Sequence, residues 1–277
     1  MRAQITLTVA EAKRLIAKGI SKRVDVKEAL AHGRILLKGG TTVSAICEEL
    51  CGRALRISGR VTPKGTKASS ELEQLWTCAL LEGGCPRNIT GEFQQATTEL
   101  TRDGVVILGA NAYDSHGNAA MMMGRQWGAG PGSALSGIMG ETRNIIIAVG
   151  TEKLVQGNLN EVIGDTARTA VDVSMGMAVG LMPLCGEIYT ELEAIKTLAR
   201  VHPRIIGKGG IKGAEGATTL IIDGEKNEVL RVFQLARSLK GIGESGVETS
   251  LDECEPGKKC KFHVACIYAK EKGFSET

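Results

Sequence analysis

Glycine and threonine at the junction of a strand and a helix can bind an anion. Here they occur at Gly39-Gly40-Thr41-Thr42, between the apolar run Arg34-Ile-Leu-Leu-Lys38 and the stretch from Thr42 to Cys51. Read as strand, turn and helix, the segment leaves backbone N–H groups unpaired where the helix dipole adds positive potential. Glycine lets the backbone approach a ligand closely, and two hydroxyls stand at the same point. The expectation is a site for the phosphate or carboxylate of a small molecule. The same residues also fit an ordinary tight turn with a threonine N-cap.

Four other constellations carry candidate chemistry. Asp114 follows an apolar strand beside Asn111, His116 and Asn118. As a general acid or base it would need a pKa raised by burial; an Asp-x-x-Gly turn, with the carboxylate bonding the backbone, is the competing reading. The glycine-rich loop Gly128–Gly137, with Gly130, Gly132 and Ser133, would wrap a phosphate or the pantetheine arm of CoA, or serve only as a loop. It lacks the Walker Gly-Lys-Ser/Thr sequence and the dinucleotide fingerprint. The loop Ile206–Gly216 also misses the dinucleotide spacing, which argues against a nicotinamide cofactor. Cys254, Cys260, His263 and Cys266 supply three thiols and an imidazole for a Zn site, or for an Fe–S cluster if Cys185 completes it. Their spacing differs from a Cys-x2-Cys knuckle. Cys47 and Cys51, four apart on one helical face, read as core thiols.

The elements that would position these groups alternate between strand and helix. Thr8-Val-Ala-Glu11 is a capping box opening a helix that ends near Gly19, and Asp25–Gly33 reads as a second helix. Strands are expected at Arg34–Lys38, Leu55–Val61, Val105–Leu108 and Asn144–Val149, and Met121–Met123 reads as core strand. Helices are expected at Thr42–Cys51, Glu71–Leu81, Gly91–Leu100, Leu159–Val173, Glu187–Ala199 and Glu225–Leu239. Shorter strands follow at Arg204–Ile206 and Thr218–Ile222. This alternation predicts an α/β fold with a mostly parallel sheet. The domain expectation is a ligand-binding unit over 1–164, a small α/β subdomain over 165–245 and a Cys-containing tail over 246–277.

Three segments carry a family resemblance. The strand–Gly39-Gly-Thr-Thr42–helix unit resembles the superfamily of ribose-5-phosphate isomerase, glucosamine-6-phosphate deaminase, the CoA transferases and sugar-sensing repressor domains. Val105-Val-Ile-Leu-Gly-Ala-Asn-Ala-Tyr-Asp-Ser-His-Gly-Asn118 is similar to a strand-and-loop motif of its methylthioribose-1-phosphate isomerase-like and lactate-utilisation-type members. Ile145-Ile-Ile-Ala-Val-Gly-Thr-Glu-Lys153 is similar to the later strand ending in a turn with Lys. The resemblance implies a Rossmann-like sheet flanked by helices, with a ligand crevice at the strand C-termini. It implies a sugar phosphate or acyl-CoA type of ligand and isomerase or transferase chemistry. In the isomerase reading Asp114 moves the proton and Lys153 offsets the developing negative charge. The CoA transferase catalytic Glu and the ribose-5-phosphate isomerase acidic and lysine motif have no recognisable counterpart. A non-catalytic sensor or assembly protein is therefore the alternative.

Composition narrows the partners. The 277-residue chain has a net charge of +3, too small to argue for nucleic acid. With aromatics at 3%, platforms for base stacking are not expected. The start lacks a signal peptide's apolar core, and the Met175–Cys185 run is too short to span a bilayer. The expected setting is cytoplasmic, without membrane or nucleic-acid partners, and a homodimer is compatible with the composition. There the eight cysteines would be thiols or metal ligands rather than disulfides.

Overall fold

The computed structural model describes residues 1–68, 75–128, 132–247 and 263–268. The chain opens with β1 (Arg2–Leu7), α1 (Val9–Ile20), α2 (Val24–His32), β2 (Arg34–Lys38) and α3 (Thr41–Cys51). α1 begins with the capping box expected from its sequence: the Glu11 N–H donates to Thr8 Oγ1 at 3.3 Å and the Thr8 N–H to the Glu11 carboxylate at 2.9 Å. α2 has no side-chain cap.

Two antiparallel hairpins follow, β3 (Gly59–Thr62) with β4 (Gly65–Ala68), and β5 (Cys78–Glu82) with β6 (Cys85–Asn88). The middle of the chain holds α4 (Phe93–Thr98), β7 (Val105–Gly109), β8 (Ala112–Tyr113), β9 (Ala119–Met123), α5 (Leu135–Glu141) and β10 (Ile145–Ala148). The last part runs through α6 (Leu159–Gly164), β11 (Gly180–Leu184), β12 (Glu187–Tyr189), α7 (Glu191–Leu198), β13 (Val201–Gly209), β14 (Ala217–Gly224) and α8 (Lys226–Ser238). No helix among the described residues is long and apolar enough to cross a membrane.

The architecture is mixed α/β. Its largest sheet has six strands in the order β12-β10-β7-β2-β5-β6. β12, β10, β7 and β2 pair in parallel, whereas β5 and β6 are antiparallel, so the sheet is mixed. Side-chain alternation divides the interior into two cores. Ile35 and Leu37 of β2 join Val105, Ile107 and the apolar sides of α1, α2 and α3 on one face. Leu36 joins Val106, Leu108, Phe93, Leu135 and Met121 on the other. With both faces covered, these strands read as continuous apolar runs.

Several elements differ from expectation. Residues 78–81, read as the end of a helix, fall in β5, and residues 71–74 lie outside the described part. The Gly83-Gly84 turn closes the β5–β6 hairpin, with φ of +54° and +78°. Such a two-residue turn favours glycine because both positions need positive φ. Leu55, Arg56 and Ile57 are all buried, but no strand forms before Gly59. That stretch is instead pinned singly: the Leu55 N–H donates to Ser44 Oγ at 2.9 Å and the Arg56 N–H to the Trp76 carbonyl at 2.7 Å. The expected helix 159–173 stops at Gly164. Residues 187–189 are a strand edging the main sheet rather than the start of a helix. β1, absent from the sequence reading, pairs with β14 in a three-stranded sheet with β13. Hydrogen bonds thus join residues 2–7 to 217–224 across the boundary drawn near 164.

Candidate functional site

The chain opens a crevice where it changes direction. After β2 it passes to α3, whose Val43, Ile46 and Cys47 enter the first core. After the neighbouring β7 it passes to β8 and β9, whose Tyr113, Ala119 and Met121 enter the second. Two adjacent parallel strands therefore send their C-terminal connections to opposite faces. Open α/β sheets bind ligands at such a switch point. A cavity of about 820 Å³ lies there, lined by Gly39–Thr42 after β2, Gly109–Asn111 at the end of β7 and Lys153 after β10.

The two glycines of the turn do different work. The Gly39 N–H donates to the Thr77 carbonyl at 2.9 Å, and a Cβ on Gly39 would lie 2.1 Å from that oxygen. Gly39 is needed because two backbones touch. Gly40 is the N-cap of α3, has extended backbone (φ 174°) and gives no side-chain cap. A Cβ there would meet nothing within 4 Å. The hydroxyls of Thr41 and Thr42 make no hydrogen bond among the described residues. The helix start is thus open to the cavity, with its first amides and two hydroxyls available.

The lining is cationic. Lys13, Lys38, Arg56, Arg60, Arg125 and Lys153 contribute to it, against one carboxylate, Glu244, among the described lining residues. Lys13 Nζ is tied to Glu244 at 2.9 and 3.0 Å. Lys153 Nζ donates to the Ala110 carbonyl at 2.8 Å, and burial lowers its pKa below the ordinary lysine value. Lys38, the last residue of β2, is partly buried as cavity wall, and burial likewise pulls its amine down.

The outer wall is the β3–β4 hairpin, which supplies Arg60 and Thr66. It docks on the 175–177 segment: the Thr66 N–H donates to Met175 O at 3.2 Å and the Met177 N–H to Thr66 O at 2.8 Å. Gly65 and Gly176 allow this approach. Both have positive φ, and a Cβ on either would lie 2.0 Å from the opposing carbonyl oxygen.

The expected site residues separate into two groups. Gly39, Gly40, Thr41, Thr42, Asn111 and Lys153 line the cavity together. Asn111 also braces it, its Oδ1 accepting from the Met122 N–H at 2.9 Å. Asp114, Asn118, Gly132 and Ser133 are not among the lining residues, and Gly130 lies outside the described part. The Asp114 side chain is fully enclosed. Its carboxylate accepts from the His116 and Asn118 N–H groups at 2.8 and 2.9 Å, from Asn118 Nδ2 at 2.8 Å and from the Leu159 N–H at 2.8 Å. Burial pushes its pKa up, but these four bonds outweigh it and hold the carboxyl well below the usual range. This is the reverse of what a general acid needs. The turn reading therefore describes Asp114, which clamps the 114–118 loop to the start of α6.

Of the proposed metal set, Cys254 and Cys260 lie outside the described part. His263 and Cys266 adjoin the 174–178 segment through backbone bonds such as Ser174 N–H to Ala265 O at 2.8 Å. No group of three or more metal-ligating side chains occurs among the described residues. The six described cysteines form no disulfide.

Lys13, Lys38, Arg56, Arg60, Arg125 and Glu244 were missed as site residues. Lys38 alone carried a local signal, a charge closing an apolar strand immediately before Gly-Gly. No family model, curated protein or solved structure matches the chain, so the crevice itself is the basis for a functional reading.

Proposed function

We propose that this protein binds a small phosphorylated or carboxylated molecule, of the sugar phosphate or acyl-CoA type, in the crevice beyond β2 and β7. The observation that carries the reading is the excess of six cationic side chains over one carboxylate among the described lining residues of a cavity that also receives the open start of α3. Fixed amides and buried cations favour an anion strongly where water is scarce. About 820 Å³ is within the range of small-molecule sites. The three segments that resemble the isomerase, deaminase and CoA transferase superfamily all contribute to this cavity, which supports treating the sheet as Rossmann-like.

As an enzyme the protein would be sugar-phosphate isomerase-like or CoA transferase-like. The engagement of Glu244 by Lys13 and the placement of Asp114 away from the lining favour a second reading, a ligand sensor without proton-transfer chemistry. Thermal-shift titration with inorganic phosphate, ribose 5-phosphate and acetyl-CoA, followed by turnover assays, separates the readings. A saturable rise in Tm with at least one anion, weakened in Lys153→Met, supports binding. No shift with any of them at millimolar concentration overturns it. Binding without turnover selects the sensor.

A further inference from the structure

Three lysines among the described residues line the cavity, and they are not equivalent. Lys13 is ion-paired to both oxygens of Glu244. Lys153 donates to a backbone carbonyl. Lys38 makes no hydrogen bond or ion pair among the described residues, and its partly buried side chain forms part of the cavity wall. Its cross-strand partner is Cys78 of β5. Burial pushes the Cys78 thiol up to about 11, so it stays neutral and does not balance the lysine charge. A lysine with only a structural role in a cavity wall would be expected to acquire a partner, because a poorly hydrated unpaired charge is costly. An amine left bare beside an anion-binding turn instead suits a nucleophile.

We propose that Lys38 captures the carbonyl group of a small phosphorylated aldehyde or ketone as an imine, with the phosphate held at the Gly40–Thr42 turn. The inference rests on the anion-binding reading above and gives the ligand a second functional group. In the capture step the neutral Nζ adds to the carbonyl carbon, forming an N–C bond while the C=O pair moves to oxygen. The resulting carbinolamine expels that oxygen with the two amine protons as one water, leaving C=N. No oxidant or reductant is needed. The lowered pKa of Lys38 raises the fraction of neutral amine at neutral pH.

The test uses the full chain with glyceraldehyde 3-phosphate, borohydride reduction and peptide mass mapping. The expected result is a reduced adduct on Lys38, lost in Lys38→Arg, suppressed by inorganic phosphate, and weak with unphosphorylated glyceraldehyde. The thermal shift of the wild-type chain with inorganic phosphate is measured alongside, as the separate readout of anion binding. Label on other lysines, or none, with the phosphate shift intact overturns the imine and leaves the binding reading standing. Loss of both label and phosphate shift in the wild-type chain overturns both.

Discussion

Gly39 and Thr77 are in direct backbone contact: the Gly39 N–H donates to the Thr77 carbonyl, and a Cβ on Gly39 would lie 2.1 Å from that oxygen. The next residue, Gly40, faces open space instead. Alanine should therefore separate two roles of one dipeptide. Gly39→Ala must push two strands' ends apart and should cost about 1–3 kcal/mol, as overpacking does. Gly40→Ala fits its extended backbone and should change stability by no more than about 0.5 kcal/mol. Its methyl would enter the proposed anion subsite and should weaken phosphate binding. Urea unfolding and phosphate titration of both variants check this, and equal stability losses would contradict it.

How far the site could be read follows from where its parts come from. β2, the glycine turn and α3 are contiguous, and each announces itself through apolar runs, turn residues and helix periodicity. Asn111 and Lys153 each lie within a few residues of a strand's C-terminal end, so they too were within reach. Arg56 and Arg60, Arg125, and Glu244 come from three separate stretches. Their convergence depends on long-range bonds, such as those joining Thr66 to Met175 and Met177, which leave no local pattern. The β5 strand was misread because the Cys-Ala-Leu-Leu run is too short for periodicity to distinguish helix from strand. Its Gly83-Gly84 turn was the better signal. Asp114 illustrates the opposite limit. Its type and position suited catalysis, yet the hydrogen bonds that make it a clamp come partly from Leu159, far along the chain.

The Asp114 clamp has a pH signature. The folded carboxyl sits below the ordinary value, and the unfolded one titrates near about 3.9. Between those values the unfolded chain binds more protons, so stability rises with pH there. The contribution is fully present above the unfolded pKa and is lost as pH falls through the folded pKa. Asp114→Asn replaces one acceptor oxygen with an NH2 group facing N–H donors. It should lower Tm by several degrees at neutral pH and flatten the acid limb of the stability curve. A variant with unchanged Tm and abolished turnover would restore a catalytic role.

Glu244 should act against the ligand. It is the one carboxylate among the described lining residues, and it holds Lys13 at 2.9 Å. Glu244→Gln removes a negative charge and releases the lysine's countercharge. Phosphate affinity should rise roughly three- to tenfold, the size expected for one charge several ångströms away at an effective dielectric of about 20, after solvent screening. The gain should shrink at high salt. Isothermal titration at low and high ionic strength measures both effects, and an unchanged or reduced affinity would count against the cationic cavity as the binding determinant.

Lys153 reaches the cavity because the turn before it is fastened from beneath. The Glu191 carboxylate, fully buried, accepts from the Thr151 N–H at 3.0 Å and from Thr151 Oγ1, which also contacts Thr218 Oγ1 at 2.9 Å. Burial raises the Glu191 pKa despite these bonds. The folded state therefore holds this proton more readily than the unfolded one, which titrates near about 4.3. Stability from this group is greatest below the unfolded value and falls as pH rises toward the folded one. A glutamine at 191 can accept from the Thr151 N–H and donate to Thr151 Oγ1, whose hydroxyl can then donate to Thr218. Every bond is kept and no charge is buried. Glu191→Gln should match or exceed wild-type stability, with the advantage larger at pH 8 than at pH 5. Glu191→Ala, which strands the Thr151 donors, should lose about 1–3 kcal/mol and weaken phosphate binding through a displaced Lys153. Urea midpoints at the two pH values decide it: a glutamine variant that is least stable at the higher pH would mean that Glu191 carries its charge there at no cost.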